Sequence, residues 1–276
     1  MENQFFTKVK NSGLKNDSCL CVGLDPDPNR IPEHCLKSST PFYDFLRPII
    51  ENTIDLVCAY KPNIAFFEAE GSRGIEELHH VIELIHEIDP DIPVLLDCKR
   101  GDIGNTAKAY ARAAFQHLKA DGVTLNPYLG EDSIEPFAQY PDKGLVILCL
   151  TSNKSYTDFQ KLEFDGKPLF LEIAKKVSGW NKKNGNFGLV IGATHPEEAA
   201  LVRNTAPELP FLMPGIGAQG GDASKTMEIG TTNSGFKPIV NSSRGILYAG
   251  SEQDYAEKSR EAAITLRKRL NSYLDI

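Results

Sequence analysis

No stretch of this 276-residue chain is apolar for long enough to span a bilayer, so a helical membrane protein is excluded. Met1-Glu2-Asn3-Gln4 has no basic region followed by an apolar core, and no signal peptide is expected. The six cysteines include no C-x-x-C pair and no Cys/His cluster at zinc spacing. Five of them, Cys19, Cys21, Cys58, Cys98 and Cys149, lie in apolar, strand-like runs, where a free cysteine behaves as a small buried hydrophobe. Together these absences point to a reducing, cytoplasmic setting. Positive charge is also short. A net charge of −7 and a pI near 5.5 disfavour a nucleic-acid or anionic-membrane surface, so any anionic ligand must be held by a local cluster of amides and cations. There is no G-x-S-x-G elbow, the six histidines form no triad and no metal site, and no repeat or low-complexity linker divides the chain.

What the chain does have is a recurrence of short apolar runs, each ending in Gly, Pro, Asn or a charge. They predict eight strands, at 19–25, 59–67, 94–99, 122–127, 145–151, 187–193, 211–215 and 238–241. Near-continuous apolar runs suit strands buried on both faces, as in parallel sheets. Helical stripes fill most intervals, among them Ile75, Leu78, Val81, Ile82 and Ile85, and Leu169, Ile173, Ala174 and Val177. An Ala-rich helix is expected over 107–120. Pro196, followed by Glu197 and Glu198, marks a helix start, and Ser251 is a candidate cap for a final helix running to about Tyr273. Eight strand–helix units in about 250 residues are the count and size of a (β/α)8 TIM barrel, here a single domain over 1–276. The alternative is a doubly wound open sheet, but nothing after the first strand looks like a dinucleotide loop. Segments 153–167 and 218–236 lack periodicity and would lie at the C-terminal mouth of a barrel, where long loops are often lids.

In such a barrel the C-terminal strand ends build the active site. Those ends carry Asp25, Lys61, Asp97 and Lys99, with Asp102 close behind in Asp97-Cys98-Lys99-Arg100-Gly101-Asp102. Residues two apart on a strand point the same way, so Asp97 and Lys99 should project together from a buried strand, a costly placement unless the charges are paired or used. The alternative is a strand-end ion pair with Asp102 as a helix cap. A solvated rim, however, would scatter its charges in loops rather than in apolar strands. Pro214-Gly215-Ile216-Gly217-Ala218-Gln219-Gly220-Gly221 ends strand seven, and Asn241-Ser242-Ser243-Arg244-Gly245 ends strand eight. Glycines there let amides approach an anion, Gln219 adds donors, and Arg244 offers a guanidinium beside a helix N-terminus. Loops after strands seven and eight form the common phosphate site of this fold. Thr151-Ser152-Asn153 ends strand five and suits an amide-like ring edge, or an ordinary Ser/Thr turn. His79, His80 and His86 are expected on the exposed face of one helix, and His195 at a helix entry.

With these residues the chain resembles the orotidine 5′-phosphate decarboxylases over essentially its whole length. The resemblance rests on D-x-K-x-x-D-I-x-x-T at 97–106 paired with P-G-I-G-A-Q-G-G-D at 214–222. Leu24-Asp25-Pro26-Asp27-Pro28 and Asn126-Pro127-Tyr128-Leu129-Gly130 look like the longer subgroup. Ser243 is a departure, since many members carry Gly before the phosphate arginine, and the 153–167 loop exceeds that of compact members.

The resemblance implies cofactor-free and metal-free decarboxylation of orotidine 5′-phosphate to UMP and CO2, the last step of de novo pyrimidine synthesis. It implies Lys99 as proton donor to C6, Asp97 against the substrate carboxylate, and Lys61 and Asp102 completing the charge array. Asp25 and Thr106 would hold ribose hydroxyls and Ser152 the pyrimidine edge. Gln219 and Arg244, with the backbone at Gly215, Gly217 and Ser243, would hold the phosphate. Asp102 and Thr106 would reach into a partner's site, which implies a homodimer.

Three rivals remain at this stage. A sugar-phosphate decarboxylase on a related barrel would use Mg2+ and an enediolate, but Lys61 and Gln219 fit orotidine phosphate better. A Schiff-base aldolase would need a nucleophilic lysine, which the flanking acids disfavour. A non-catalytic nucleotide-phosphate binder is opposed by the intact Asp97, Lys99 and Asp102 set.

Overall fold

The computed structural model describes residues 4–216 and 221–273. Eight parallel strands form the core: β1 (Leu20–Leu24), β2 (Ala59–Pro62), β3 (Leu95–Arg100), β4 (Gly122–Leu125), β5 (Gly144–Leu150), β6 (Phe187–Ile191), β7 (Phe211–Pro214) and β8 (Ile239–Ser242). The ladder runs β2-β1-β8-β7-β6-β5-β4-β3, and parallel bridges Tyr60↔Val94 and Asn63↔Asp97 join β2 to β3. The result is a nearly closed (β/α)8 barrel with strands in sequence order, as expected, and not an open doubly wound sheet.

Two apolar layers hold it together. The larger lies between strands and helices and takes in Leu20, Val22, Tyr60, Leu96, Ile147 and Leu189 with Phe42, Ile49, Val81 and Ile82. The smaller fills the barrel axis: Cys21, Ala59, Leu95, Val146, Val190, Leu212 and Ile239 meet Phe5, Phe6 and Val9 of the first helix, Gln4–Lys15. That helix plugs the N-terminal end of the barrel, leaving the C-terminal end open. All six cysteines are free and buried.

Several local expectations are corrected. The strand expected over 59–67 stops at Pro62, because Asn63 Oδ1 accepts from Ala65 N and starts the helix Ile64–Glu68. The Ala-rich helix begins earlier than expected, at Gly104, and gives way to a π-helical turn at Ala113–His117. Asp102 does not cap it: Oδ1 accepts only from the adjacent Ile103 N, at 2.8 Å, and Ile103 holds the cap position. The final helix, Tyr255–Asn271, starts after Asp254 rather than at Ser251. In the helix Leu169–Asn184 the buried stripe is Phe170, Ala174 and Val177, with Leu169 and Ile173 only partly covered. His86 is not a solvated surface residue, since its Nε2 lies 2.9 Å from Asp121 Oδ2 near the N-terminal end of the barrel. Pro196 does open a helix, Pro196–Thr205, with His195 at its cap position.

Candidate active site

A cavity of about 540 Å³ opens at the C-terminal mouth, lined by strand ends and the loops behind them. Its charged floor comes from three neighbouring strands. Lys61 pairs in register with Gly23 of β1, and Asn63 bridges Asp97, so β2 carries Lys61 between Asp25 and Asp97. Lys61 Nζ donates to Asp97 Oδ2 at 2.8 Å and lies 4.0 Å from Asp25 Oδ1. Lys99 Nζ donates to Asp97 Oδ1 at 2.6 Å.

Lys61 is 4% exposed and Asp97 9%. Burial alone would lower the lysine and raise the aspartate. The facing charges outweigh it: Asp97 and Asp25 hold the Lys61 ammonium above its usual value, and Lys61 and Lys99 hold the Asp97 carboxyl well below its own. Both groups are therefore charged at neutral pH. The Lys99 side chain is half exposed, at the cavity's wet side.

Asp97 and Lys99 meet, but not by regular strand alternation. The β3–β4 register slips between Leu96 and Arg100, and Lys99 takes φ +45°, a conformation uncommon outside glycine. Thr124 Oγ1 bridges the irregularity, accepting from Cys98 N and Lys99 N at 3.0 Å each and contacting Asp97 Oδ1 at 2.8 Å.

The opposite rim holds the candidate anion site. Gly215 has φ +108°, which favours glycine, and its carbonyl accepts from Gly221 N at 3.2 Å. Ser243 and the exposed Arg244 open the short helix Arg244–Leu247. Ser243 Oγ accepts from Asn241 Nδ2 at 3.3 Å. Gly215, Ser243 and Arg244 line the cavity, as does Ser152. Gly217 and Gln219 lie outside the described residues.

Asp102, half-buried, and Thr106, exposed, are not among the described residues lining this cavity. One chain does not gather them with Asp97 and Lys99. Ile103, next to Asp102 in the chain, is 56% exposed, and Tyr128, in the turn after β4, is 80% exposed.

Three contributors escaped the sequence reading. Thr124 reads there as an ordinary β-branched strand residue. Gln160, ten residues past the end of β5 in an aperiodic loop, clasps Thr151: its Oε1 accepts from Thr151 N at 2.9 Å and its Nε2 donates to Thr151 Oγ1 at 2.7 Å. Tyr248 fixes the backbone behind Asp25, its hydroxyl donating to Asp25 O at 2.8 Å and accepting from Asp27 N at 2.6 Å. A hydroxyl in an apolar strand was the one signal that could have drawn attention to Thr124.

The loop 153–167 is built rather than open. It holds the helical turn Lys154–Asp158, which Tyr156 anchors, and the short strand Glu163–Phe164, which pairs antiparallel with Lys167–Pro168. That ring stacks on His195 at 4.2 Å, and its hydroxyl donates to Glu198 at 3.2 Å.

Comparison with known proteins matches residues 18–259 to the orotidine 5′-phosphate decarboxylase / HUMPS family. The orotidine 5′-phosphate decarboxylase of Azoarcus sp. strain BH72 is 47% identical, covering 98% of this chain and 99% of its own. The solved Leishmania donovani OMP decarboxylase superposes with a TM-score of 0.86 at 39% identity, covering 98% of both chains. Leishmania donovani UMP synthase superposes with a TM-score of 0.87 at 40% identity, and this chain spans 56% of that longer protein.

Proposed function

The chain belongs to the orotidine 5′-phosphate decarboxylase / HUMPS family, and from that premise we propose that it converts orotidine 5′-phosphate to UMP and CO2 as the last step of de novo pyrimidine synthesis. It is a carboxy-lyase. The observation that carries the reading is the buried Asp97 carboxylate held between the Lys61 and Lys99 ammonium groups at the floor of a cavity of nucleotide size.

The chemistry demands such a floor. Breaking the C6–carboxylate bond leaves its electron pair in an in-plane orbital that the ring cannot delocalise. Enzymes lower barriers by roughly 8–23 kcal/mol, and this reaction lies toward the upper end. No metal or organic cofactor enters the proposed mechanism, so preorganised charge does the work. Lys99 stabilises the developing carbanion, passes a proton to C6, and recovers one from solvent through its half-exposed side chain. Asp97, kept ionised, faces the substrate carboxylate; at about 4 Å the repulsion is roughly 4 kcal/mol at an effective dielectric near 20, and it is relieved as CO2 departs.

Asp25 accepts from a ribose hydroxyl, which suits its buried Oδ1: Lys61 lies 4.0 Å away and no hydrogen bond reaches that oxygen. Ser152 meets the pyrimidine edge. Arg244, Ser243, Gly215, Gly217 and Gln219 grip the phosphate, and that remote binding offsets strain at C6. Asp102 and Thr106 serve the site of a second copy in a homodimer, whose contact face includes the exposed Ile103 and Tyr128. The chain acts as one domain over 1–276, in the cytoplasm.

The direct test is loss of ultraviolet absorbance of orotidine 5′-phosphate on adding EDTA-treated protein. Rapid loss is expected. No turnover, with UMP still bound, would refute the reaction while keeping the nucleotide site.

A further inference from the structure

We propose that Thr124 is a positioning residue for this decarboxylation, its single hydroxyl setting Lys99 and Asp97 against each other. The inference rests on the functional reading above. Thr124 stands on β4, is 1% exposed and lines the cavity floor. A threonine hydroxyl has one proton and two lone pairs. Cys98 N and Lys99 N can only donate, and both reach Oγ1 at 3.0 Å. Both lone pairs are thereby occupied, so the one proton points to Asp97 Oδ1, at 2.8 Å. The hydroxyl has no rotational freedom left.

Two consequences follow from that arrangement. The first is conformational. Leu96 pairs Val123 and Arg100 pairs Leu125, so four steps along β3 match two along β4. Within this slip the Cys98 and Lys99 amides bond to the Thr124 side chain. They pin Lys99 at φ +45°, a strained conformation that persists only when its surroundings enforce it.

The second consequence is electrostatic. Asp97 faces Lys61 from β2 and Lys99 from its own strand, with Asp25, just past the end of β1, beyond Lys61 and the Cys21 and Cys98 thiols nearby. β4 contributes no charge, only the Thr124 proton, and a donor aimed at a carboxylate favours its ionised form.

The experiment compares T124V, which keeps the shape and removes the hydroxyl, with T124S, which keeps the hydroxyl. Measurements are kcat and KM for orotidine 5′-phosphate across pH, and titration of the Asp97 carboxyl by carbon NMR. T124V should lose about 10- to 100-fold in kcat, the size of a hydrogen bond to a charged group, with KM changed much less. Its acidic limb and its Asp97 titration should both move to higher pH. T124S should stay within a few-fold of wild type on every readout.

Wild-type kcat and an unmoved acidic limb in T124V would overturn the proposal. So would a T124S enzyme that loses about 10-fold or more in kcat although it keeps the hydroxyl, and that arm decides the matter if T124V does not fold. Should the wild-type protein fail to turn over, the functional reading falls. The Asp97 titration then still judges the hydroxyl's role by itself.

Discussion

Gly23 of β1 is packed so closely against Ser243 that a methyl group at position 23 would overlap Ser243 Oγ and approach its Cβ to 2.9 Å. The other neighbour of Gly23, in register on β2, is Lys61. One residue without a side chain thus lies between the charged floor and the proposed phosphate rim. Gly23 and Ser243 thus share one space, and the two positions are sterically linked. Gly23→Ala should destabilise the fold by about 1–3 kcal/mol through overpacking. Ser243→Gly in the same chain should recover much of that loss, since it removes the atoms that collide. Urea unfolding of both single variants and the double variant gives the coupling; strictly additive effects would show that the contact is not limiting.

Lys99 forms its ion pair from the half-exposed side of the cavity, whereas Lys61 is sealed beneath. Removing Lys99 therefore deletes a charge at the proposed reacting carbon without unpairing the deeper one. Lys99→Ala should lower turnover by roughly 10²–10⁴-fold or more while UMP binding stays measurable by calorimetry. Near-normal turnover would remove Lys99 from the chemistry.

Arg244 is exposed at the first turn of a four-residue helix on the rim opposite the Asp97 cluster. Its proposed partner is the phosphate alone. Arg244→Ala should weaken UMP by about 10- to 100-fold, the scale of a charge-assisted hydrogen bond, and leave uridine nearly unchanged. Equal weakening of nucleotide and nucleoside would argue against a phosphate contact.

Acid stability should depend on a carboxylate remote from the site. Burial pushes the Asp121 carboxyl up, but its bond to His86, the Val94 amide and the Lys8 charge bring it below its ordinary value. Asp97 is depressed as well. A depressed carboxyl stabilises the fold fully above its unfolded value, about 3.9, and that contribution is lost as pH falls through the folded value. Lys61, raised in the fold, behaves oppositely: its contribution holds below about 10.4 and is lost in stronger base. Unfolding free energy from urea titrations should therefore be level near neutrality and fall below about pH 4. Asp121→Asn should lower the plateau by about 1–3 kcal/mol and flatten the acidic fall. An unchanged acidic limb would show that Asp121 is not among the groups protonated on acid unfolding.

The barrel was legible in the sequence because its strands are covered on both faces and so write themselves as uninterrupted apolar runs. Charges inside such runs, at Lys61, Asp97 and Lys99, were legible for the same reason, since an apolar strand has no other use for them. What stayed hidden depends on partners far along the chain. The hydroxyl of Thr124 acquires meaning only from amides on the neighbouring strand, and Gln160 only from Thr151 across a loop. His86 looked solvated because the carboxylate that holds it is 35 residues away. The end of β2 was misread because its boundary is set by an Asn63 cap rather than by a change in hydropathy. Asp102 was the most ambiguous position: its sequence context allowed a cap or a catalytic role, and the fold removes the cap.

Asp102 bonds only to its own neighbour's amide, and the described lining of the cavity includes neither it nor Thr106. Both lie beside Ile103, an apolar side chain more than half exposed, with Tyr128 more exposed still. A proposed site shared between two copies would bring this edge of one chain to the Asp97–Lys99 cluster of the other. Asp102→Ala and Lys99→Ala would then damage different halves of the same site. Each variant alone should be nearly inactive. After subunit exchange, a mixed dimer contains one site with both lesions and one with neither, and equal mixing makes half of all dimers mixed. Activity should therefore recover to about one quarter of wild type, read by the same absorbance assay. No recovery, with exchange confirmed by differently tagged subunits, would place Asp102 in the site of its own chain or outside the chemistry altogether.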